Sequence, residues 1–348
     1  MAFHLGGRQR QFDLSGPAAR GPRGVASRIE LGLAILYQAA AILGRTGAVG
    51  RLWCGMLAHT LTSNLDLELD LQRDGACVLR GVLPAELLDR IDPICSALAD
   101  GQGDEEARRQ RFTGSLIGLD QDPCFASLIA HPGILAGLAS LGWHSPKFMN
   151  GYLTSKPPGG PALYWHQDWW GWDDEISYRA AVPMAFVMVY TCATAPANGC
   201  LRIIPGSHRR RIDLHDQLPE AHTRTASAAD AEGPAHGDHP LAVDVPVRRG
   251  DVVIGDARVL HATHANRSGA RRTVITMWFI PDFAGMPESM RSEITRQTWE
   301  NPHRAGQGHQ WPAEAERLVA PLRPDHPAPW NIYRWVQQPD ARLCSVTS

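Results

Sequence analysis

Residues Lys147–Trp170, "KFMNGYLTSKPPGGPALYWHQDWW", contain two short apolar runs separated by the sequence "PPGGP". A cluster of Pro and Gly between apolar runs is typical of a turn between two β-strands. The second run continues into "YWHQDWWGWDD" (Tyr164–Asp174), where a His and an Asp flank a single Gln. Because side chains at positions i and i+2 of a strand point to the same face, we expect His166 and Asp168 to lie side by side, with Gln167 facing away.

The chain after residue 147 repeats this pattern of short apolar or alternating runs. Turn sequences such as "APANG", "PGSH", "RRGD" and "NRSG" separate them, and six or more short strands at this spacing predict a sandwich or a barrel. Helical patterns flank the strands: "PAELLDRIDPICSALAD" begins at Pro84, a second covers 123–141, and "PESMRSEITRQTWE" follows the strands. The predicted fold class is mainly β with flanking helices.

Length, composition and charge limit the class of protein. The chain has 348 residues, of which 44% are hydrophobic, which is enough for one large domain or two modest ones. With 34 basic and 36 acidic residues, the charge is nearly balanced, so we expect neither nucleic acid nor an anionic membrane as a partner. A small-molecule substrate is the expected partner, and the sequence does not indicate an oligomeric state.

Cysteine use and the N-terminal sequence bear on localisation. Seven cysteines without a CxxC pair argue against a disulfide framework or a zinc ribbon and favour reduced thiols. The N-terminal sequence "MAFHLGGRQRQFDLSG" lacks the basic-then-apolar order of a signal peptide. The longest apolar run, Leu31–Leu43, has 13 residues, too few to span a bilayer. We therefore expect a cytoplasmic protein without a transmembrane segment.

A second His and an Arg follow in "GDVVIGDARVLHATHANRSGARRTVITMWF" (Gly250–Phe279). If "NRSG" is the turn of a hairpin centred near Arg267–Ser268, His261 lies across from Arg272. Two His and one carboxylate form a facial triad that suits Fe(II) and leaves positions open for a cosubstrate and O₂. An Arg beside such a site can hold a carboxylate of the cosubstrate by two hydrogen bonds.

Two pairs of neighbours compete for these roles. His264 is an alternative to His261 as the third ligand, and the two would face opposite sides of a strand. Arg271 and Arg272 also face opposite sides, and Arg272 fits the hairpin better.

The tryptophans around His166 and Asp168 can be structural or can contact a substrate. Trp165 is expected to pack in or beneath the sheet. Trp169, Trp170 and Trp172 either belong to the scaffold or line an apolar substrate pocket. Lys156 has two interpretations, a contact to the cosubstrate or a surface lysine whose amine reaches water, and the second is favoured.

The motifs "KPPGGPALYWHQDW", "NGCLRIIPGSH" and "LHATHANRS", followed by an Arg, resemble in this order the phytanoyl-CoA dioxygenase (PhyH-like) family of Fe(II)/2-oxoglutarate-dependent oxygenases. The resemblance covers roughly Leu67–Phe283. It implies a double-stranded β-helix, which is a jelly-roll, cupin-like barrel. The chain then divides into an N-terminal helical extension (1–66), the oxygenase domain (67–285), and a C-terminal helix with a packing tail (286–348). The polar insertion 209–240 is expected to be a lid or a disordered loop.

The resemblance also assigns roles to residues of this chain. The iron ligands fall on His166, Asp168 and His261. The anchor for the 2-oxoglutarate carboxylate falls on Arg272, an assisting hydroxyl on Thr263, and a further cosubstrate contact on Tyr152. Met188 is the nearest match to an aromatic residue that the family often has on the following strand.

The implied activity is hydroxylation of an unactivated C–H bond in a small, partly apolar molecule, with Fe(II), 2-oxoglutarate and O₂ as cofactors and succinate and CO₂ as coproducts. Related halogenases have a small residue where this chain has Asp168, so hydroxylation, desaturation, epimerisation or ring formation is favoured over halogenation. Two alternatives stay open: a catalytically silent barrel that binds a metabolite or iron, and a Zn(II) hydrolase that uses the same triad.

Overall fold

A computed structural model describes residues 71–221, 233–299, 311–324 and 335–344 of the chain. The expected helical extension 1–66, including the apolar run Leu31–Leu43, lies outside these residues. Within the described part of the chain, no helix is both long enough and apolar enough to cross a membrane.

The described residues form two antiparallel sheets and a set of short helices. The strands are β1 (Ala76–Leu79), β2 (Ile117–Gly118), β3 (Lys147–Lys156), β4 (Leu163–His166), β5 (Ala185–Tyr190), β6 (Leu201–Ile203), β7 (Val243–Val245), β8 (Val252–Asp256), β9 (His261–Thr263) and β10 (Arg272–Ile280). The helices are α1 (Ala85–Asp100), α2 (Asp104–Arg109), α3 (Cys124–Ile129), α4 (Pro132–Ser140), α5 (Leu214–Gln217), α6 (Glu288–Trp299) and α7 (Ala313–Val319). The prediction of a mainly β fold with flanking helices is confirmed.

Strand order separates the chain into two layers. The larger sheet has the order β1-β8-β5-β10-β3-β2, and the smaller one has the order β4-β9-β6-β7. Side chains from both sheets share one apolar cluster, in which Phe186 and Val274 of the larger sheet meet Leu201 and Ile203 of the smaller one. The two sheets therefore pack face to face, and we call the surfaces that meet their inner faces.

Helices cover the outer face of the larger sheet. Val187, Ile254 and Ile275 of this face belong to the same buried cluster as Leu88 of α1 and Phe125 of α3. The alternation of these strand residues with inward-facing ones is the period of two expected for strands buried on both faces.

The helical pattern expected over 123–141 is two helices, α3 and α4. Pro132 lacks a backbone N–H and clashes with the preceding turn, so α3 ends before it and α4 starts there. The His131 side chain caps α4 by accepting a hydrogen bond from Gly133 N at 3.2 Å.

The tryptophans that follow Asp168 are part of the scaffold. Trp169, Trp170 and Trp172 are 0%, 2% and 0% exposed, and they pack in a cluster with Met290 and Ile294 of α6. The rings of Trp169 and Trp170 stack at 5.3 Å. The sequence allowed either a scaffold role or a substrate pocket. The scaffold role fits these residues, since almost none of their surface is left for a ligand.

The predicted hairpin between His261 and Arg272 is wrong. β9 pairs with β4 and β6 in the smaller sheet, whereas β10 pairs with β3 and β5 in the larger one. The segment between them crosses from one sheet to the other. Buried Asn266 fixes this crossing, because its side-chain amide donates to the carbonyl oxygens of Lys156, Pro157 and Ala270. The long-range bonds to Lys156 and Pro157 take the place of the two-residue turn that the hairpin assumed.

Candidate metal centre and cosubstrate pocket

The two candidate histidine ligands are direct cross-strand partners. His166 ends β4 and His261 begins β9, and the two residues are paired in register. Their rings lie 4.1 Å apart between centroids, and the ring of Phe186 on the opposite sheet packs 5.0 Å from that of His261. Both imidazoles therefore project between the sheets.

Asp168 reaches the same point from a loop, not from a strand. β4 ends at His166, so the expectation that Tyr164–Asp174 forms a strand is wrong beyond that residue. The backbone N–H groups of Asp168 and Trp169 both donate to Ala257 O at 2.9 Å. The Gln167 side chain faces away from the histidines, as expected, and donates to the carbonyl oxygen of Arg258.

The three side chains converge in a buried cluster that we call the metal triad (His166, Asp168, His261). His166 Nε2 lies 3.5 Å from Asp168 Oδ1, and His261 Nε2 lies 3.6 Å from Asp168 Oδ2. The side chains are 4%, 5% and 3% exposed in sequence order. Such a buried set of two imidazoles and a carboxylate, with one donor atom of each close together, could hold a metal ion.

Backbone carbonyls set the tautomer of both imidazoles. His166 Nδ1 lies 2.9 Å from Tyr164 O, and His261 Nδ1 lies 3.1 Å from Val259 O. A carbonyl oxygen can only accept a hydrogen bond, so each Nδ1 carries the proton and each Nε2 presents its lone pair to the centre. This is the arrangement that metal-binding histidines have. The donor set of two imidazole nitrogens and one carboxylate fits a divalent metal such as Fe(II).

Two buried cations lie beside the triad on the inner face of the larger sheet. Arg272 of β10 and Lys156 of β3 are cross-strand partners, which we call the cation pair. Arg272 is 3% exposed and Lys156 is 0% exposed. Among the described residues, no carboxylate lies within ion-pair distance of either cation, and Arg272 Nε has no hydrogen-bond partner. Two buried basic side chains without acidic partners favour binding of an anion between the sheets, because an anion stabilises the protonated form of both.

The comparisons with known proteins agree with this geometry. A profile of the family described as "Phytanoyl-CoA dioxygenase (PhyH)" matches residues 71–274. The chain belongs to the phytanoyl-CoA dioxygenase family. Members of the PhyH family use Fe(II), 2-oxoglutarate and O₂.

Individual relatives of this PhyH-family chain share less than a third of its residues over the aligned part. The mouse "Phytanoyl-CoA dioxygenase domain-containing protein 1" is 29% identical over 160 residues, which are 45% of this chain and 52% of that protein. The ectoine dioxygenase of Sphingopyxis alaskensis is 26% identical over 157 residues, 42% of this chain and 50% of that protein. The chain thus spans about half the length of these relatives. HygX from Streptomyces hygroscopicus, solved with nickel and 2-oxoglutarate bound, is 18% identical with a TM-score of 0.48, covering 63% of this chain and 87% of that one.

The prediction that Lys156 is a surface residue is wrong. Its amine is fully buried and donates to Pro161 O at 2.7 Å, Thr263 Oγ1 at 2.8 Å and His264 O at 3.2 Å. Burial, helped by the positive charge of Arg272, lowers the pKa of Lys156 to about 6. The three oxygen acceptors match the three N–H bonds of an ammonium group, so the protonated form of Lys156 has a full set of hydrogen-bond partners here.

The remaining predicted site residues all lie on the inner faces, one in the smaller sheet and two in the larger one. Thr263 faces inward on β9, where its hydroxyl accepts from Lys156. Tyr152 lies on the inner face of β3, with its ring 5.9 Å from that of Trp278, and burial raises the pKa of its phenol. Met188 is on the same inner face, where it pairs with Thr276.

The alternative candidates for the third ligand and the anchor, His264 and Arg271, point away from the site. His264 Nε2 lies 2.7 Å from Asp244 Oδ1, away from the metal triad. Arg271 donates to Asp100 at 2.8 Å on the surface.

Trp278 is a site residue that the motif reasoning missed. Its indole N–H donates to Asp168 Oδ2 at 2.9 Å and so orients the carboxylate of the triad. A signal was present in the sequence, because Trp278 lies six residues after Arg272 and therefore on the same face of β10.

Replacing Trp278 with Phe is expected to weaken Fe(II) binding about 10- to 100-fold, which is the usual cost of losing a partner that orients a metal ligand. Anaerobic Fe(II) titration measures the effect. Trp335→Phe is the matched control, because Trp335 donates an indole hydrogen bond to a carboxylate oxygen of Glu293 at 3.1 Å, outside the triad. Equal iron affinity in the wild type and in Trp278→Phe would contradict an orienting role.

The affinity of the PhyH-family protein for 2-oxoglutarate is expected to fall as pH rises above about 6. The free Lys156 amine loses its proton near that pH, whereas a carboxylate bound beside it would favour the ammonium form, so binding takes up a proton. Binding titrations across the neutral range in two buffers of different ionisation enthalpy measure the uptake. Lys156→Met should remove the uptake, and Lys147→Met should not, because Lys147 is half-buried and its amine donates to Pro321 O outside the site. If Lys156→Met takes up as many protons on binding 2-oxoglutarate as the wild type does, Lys156 is not the group that gains the proton.

Proposed function

We propose that this PhyH-family protein is an Fe(II)/2-oxoglutarate-dependent dioxygenase that hydroxylates an unactivated C–H bond of a small, partly apolar molecule. The observation that carries the proposal is the buried metal triad next to two buried cations that lack an acidic partner among the described residues. We also propose that the two packed sheets correspond to the double-stranded β-helix, within the domain boundaries 1–66, 67–285 and 286–348.

The metal triad would hold the iron. Two neutral imidazoles and one carboxylate leave a divalent ion with a net positive charge, which favours a second, anionic chelating ligand such as a 2-oxo acid. Bound Fe(II) with 2-oxoglutarate would supply the activation of O₂ that couples formation of succinate and CO₂ to oxidation of the substrate.

The cation pair would hold the far carboxylate of 2-oxoglutarate. Arg272 can offer two parallel N–H donors, and Lys156 can turn a donor from Thr263 Oγ1 to the anion. Thr263 is two residues from His261 on the same face of β9, so the anchor lies roughly 7 Å along the strand from the metal ligand. One cosubstrate could therefore reach both the triad and the cation pair.

The inner faces would keep water from the reacting atoms. Phe186 packs against the His261 ring, and Met188 and Val253 extend the same apolar surface. In such a water-poor space the charge contacts of the anchor are stronger than in bulk solvent. Because Asp168 occupies the position that related halogenases leave to a halide, hydroxylation is favoured over halogenation.

The test is succinate formation by the purified full-length protein after anaerobic loading with Fe(II). We expect 2-oxoglutarate to bind and a substrate panel to raise succinate release, with a requirement for both iron and O₂. Tight binding of Fe(II) and 2-oxoglutarate without turnover on any substrate would favour the catalytically silent barrel. Turnover that needs Zn(II) and no 2-oxoglutarate would instead support the hydrolase and reject the proposal.

A further inference from the structure

A second group of metal-binding side chains lies on the opposite face of the smaller sheet. Cys200 directly precedes β6, Asp244 is in β7, and His264 directly follows β9. One donor atom from each residue lies within 4.8 Å of the other two. We call these residues the outer cluster.

The strand register explains why the outer cluster is separate from the metal triad. Leu201 pairs with Thr263, so Cys200 is adjacent to His264, and His264 N donates to Cys200 O at 3.1 Å. Thr263 and His261 face inward on β9, and His264 points the other way. The two sets of donors therefore lie on opposite faces of the smaller sheet and share only β9.

We propose that Cys200, Asp244 and His264 form a second metal site that takes Zn(II), or Co(II) as its spectroscopic substitute, independently of the iron centre. The donor set of one sulfur, one imidazole nitrogen and one carboxylate oxygen suits these ions, and it leaves a fourth tetrahedral position for water. The side chains of His264 and Asp244 are 24% and 41% exposed, so an ion can enter from solvent.

Metal binding must displace protons at this site. His264 Nε2 and Asp244 Oδ1 now share a hydrogen bond of 2.7 Å, which the metal would replace. Burial and the charge of Asp244 raise the pKa of the Cys200 thiol to about 12, while Arg272 and Arg202 act in the opposite direction. Because the thiol proton leaves when a metal binds, zinc affinity should fall as pH falls. Because the Cys200 thiol is buried and protonated, the three residues fit a metal site better than a catalytic site with a cysteine nucleophile.

The site would link the outer surface to the cosubstrate anchor. The carbonyl oxygen of His264 accepts from Lys156 on the inner side. A metal held by the outer cluster would tie β6, β7 and β9 together directly behind that contact. We therefore expect bound Zn(II) to raise the melting temperature of the protein.

Cobalt titration of the iron-free, full-length protein tests the proposal. The metal triad contains no sulfur, so a thiolate-to-cobalt charge-transfer absorption in the near ultraviolet distinguishes a site that contains a cysteine from the triad. We expect two Co(II) ions per chain and this absorption. His261→Gln should lose one ion and keep the absorption.

Two variants decide the outcome. Cys200→Ser and His264→Gln should each lose the charge-transfer absorption, one Co(II) equivalent and the zinc-induced rise in melting temperature, while the triad still binds cobalt. Since His264 is partly exposed, His264→Gln is expected to keep the fold even if Cys200→Ser does not. Cys192→Ser is the control for a neighbouring thiol. Absence of the absorption in the wild type, or its persistence in both variants, would overturn the proposal.

Discussion

Replacing Asp168 with Ala is expected to abolish oxygenation, with a loss of at least about 100-fold in iron affinity and in substrate-dependent succinate release. The change removes the single anionic ligand of the metal triad and leaves the Trp278 indole N–H without its acceptor at 2.9 Å. Anaerobic iron titration and succinate assays measure the two effects separately.

Asp173→Ala is the matched control for Asp168→Ala. Asp173 belongs to the same segment but is exposed, so its removal should leave iron affinity and turnover close to wild type. An Asp168→Ala protein that keeps full hydroxylase activity would mean that the ligand is wrongly assigned.

Replacing Arg272 with Met is expected to raise the KM for 2-oxoglutarate about 30-fold or more. Loss of one partner from a buried charge pair costs about 2–5 kcal/mol, and each 1.4 kcal/mol corresponds to about a factor of ten. Iron affinity should change little, because Arg272 does not contact the metal triad. Arg272→Lys should recover part of the affinity, since it keeps the charge but lacks the planar fork.

Arg271→Met is the control for Arg272→Met, because Arg271 is the preceding residue, points to the surface and pairs with Asp100. Steady-state succinate assays over a range of 2-oxoglutarate concentrations compare the variants. If both arginine variants show the same KM, the cation pair is not the cosubstrate anchor, whatever the metal triad does.

Much of the sheet architecture could be predicted from local sequence. Apolar alternation placed β3 at Lys147–Lys156 and β10 close to its observed start at Arg272, because a strand's period of two is a local property. The order of the motifs was enough to identify the PhyH family. The spacing of His166 and Asp168 also predicted that their side chains meet, although loop contacts to Ala257 bring Asp168 into place.

The sequence by itself determined the fold class, the family and the candidate residues of the triad and anchor. Only the tertiary structure decided that β9 and β10 belong to different sheets, that Lys156 is buried beside Arg272, and that Trp278 holds Asp168. It also assigned the "YWHQDWWGWDD" tryptophans to the scaffold. The physical reason is common to these cases: alternation indicates which side chains share a face, but what covers that face depends on strands and helices that are distant in the chain.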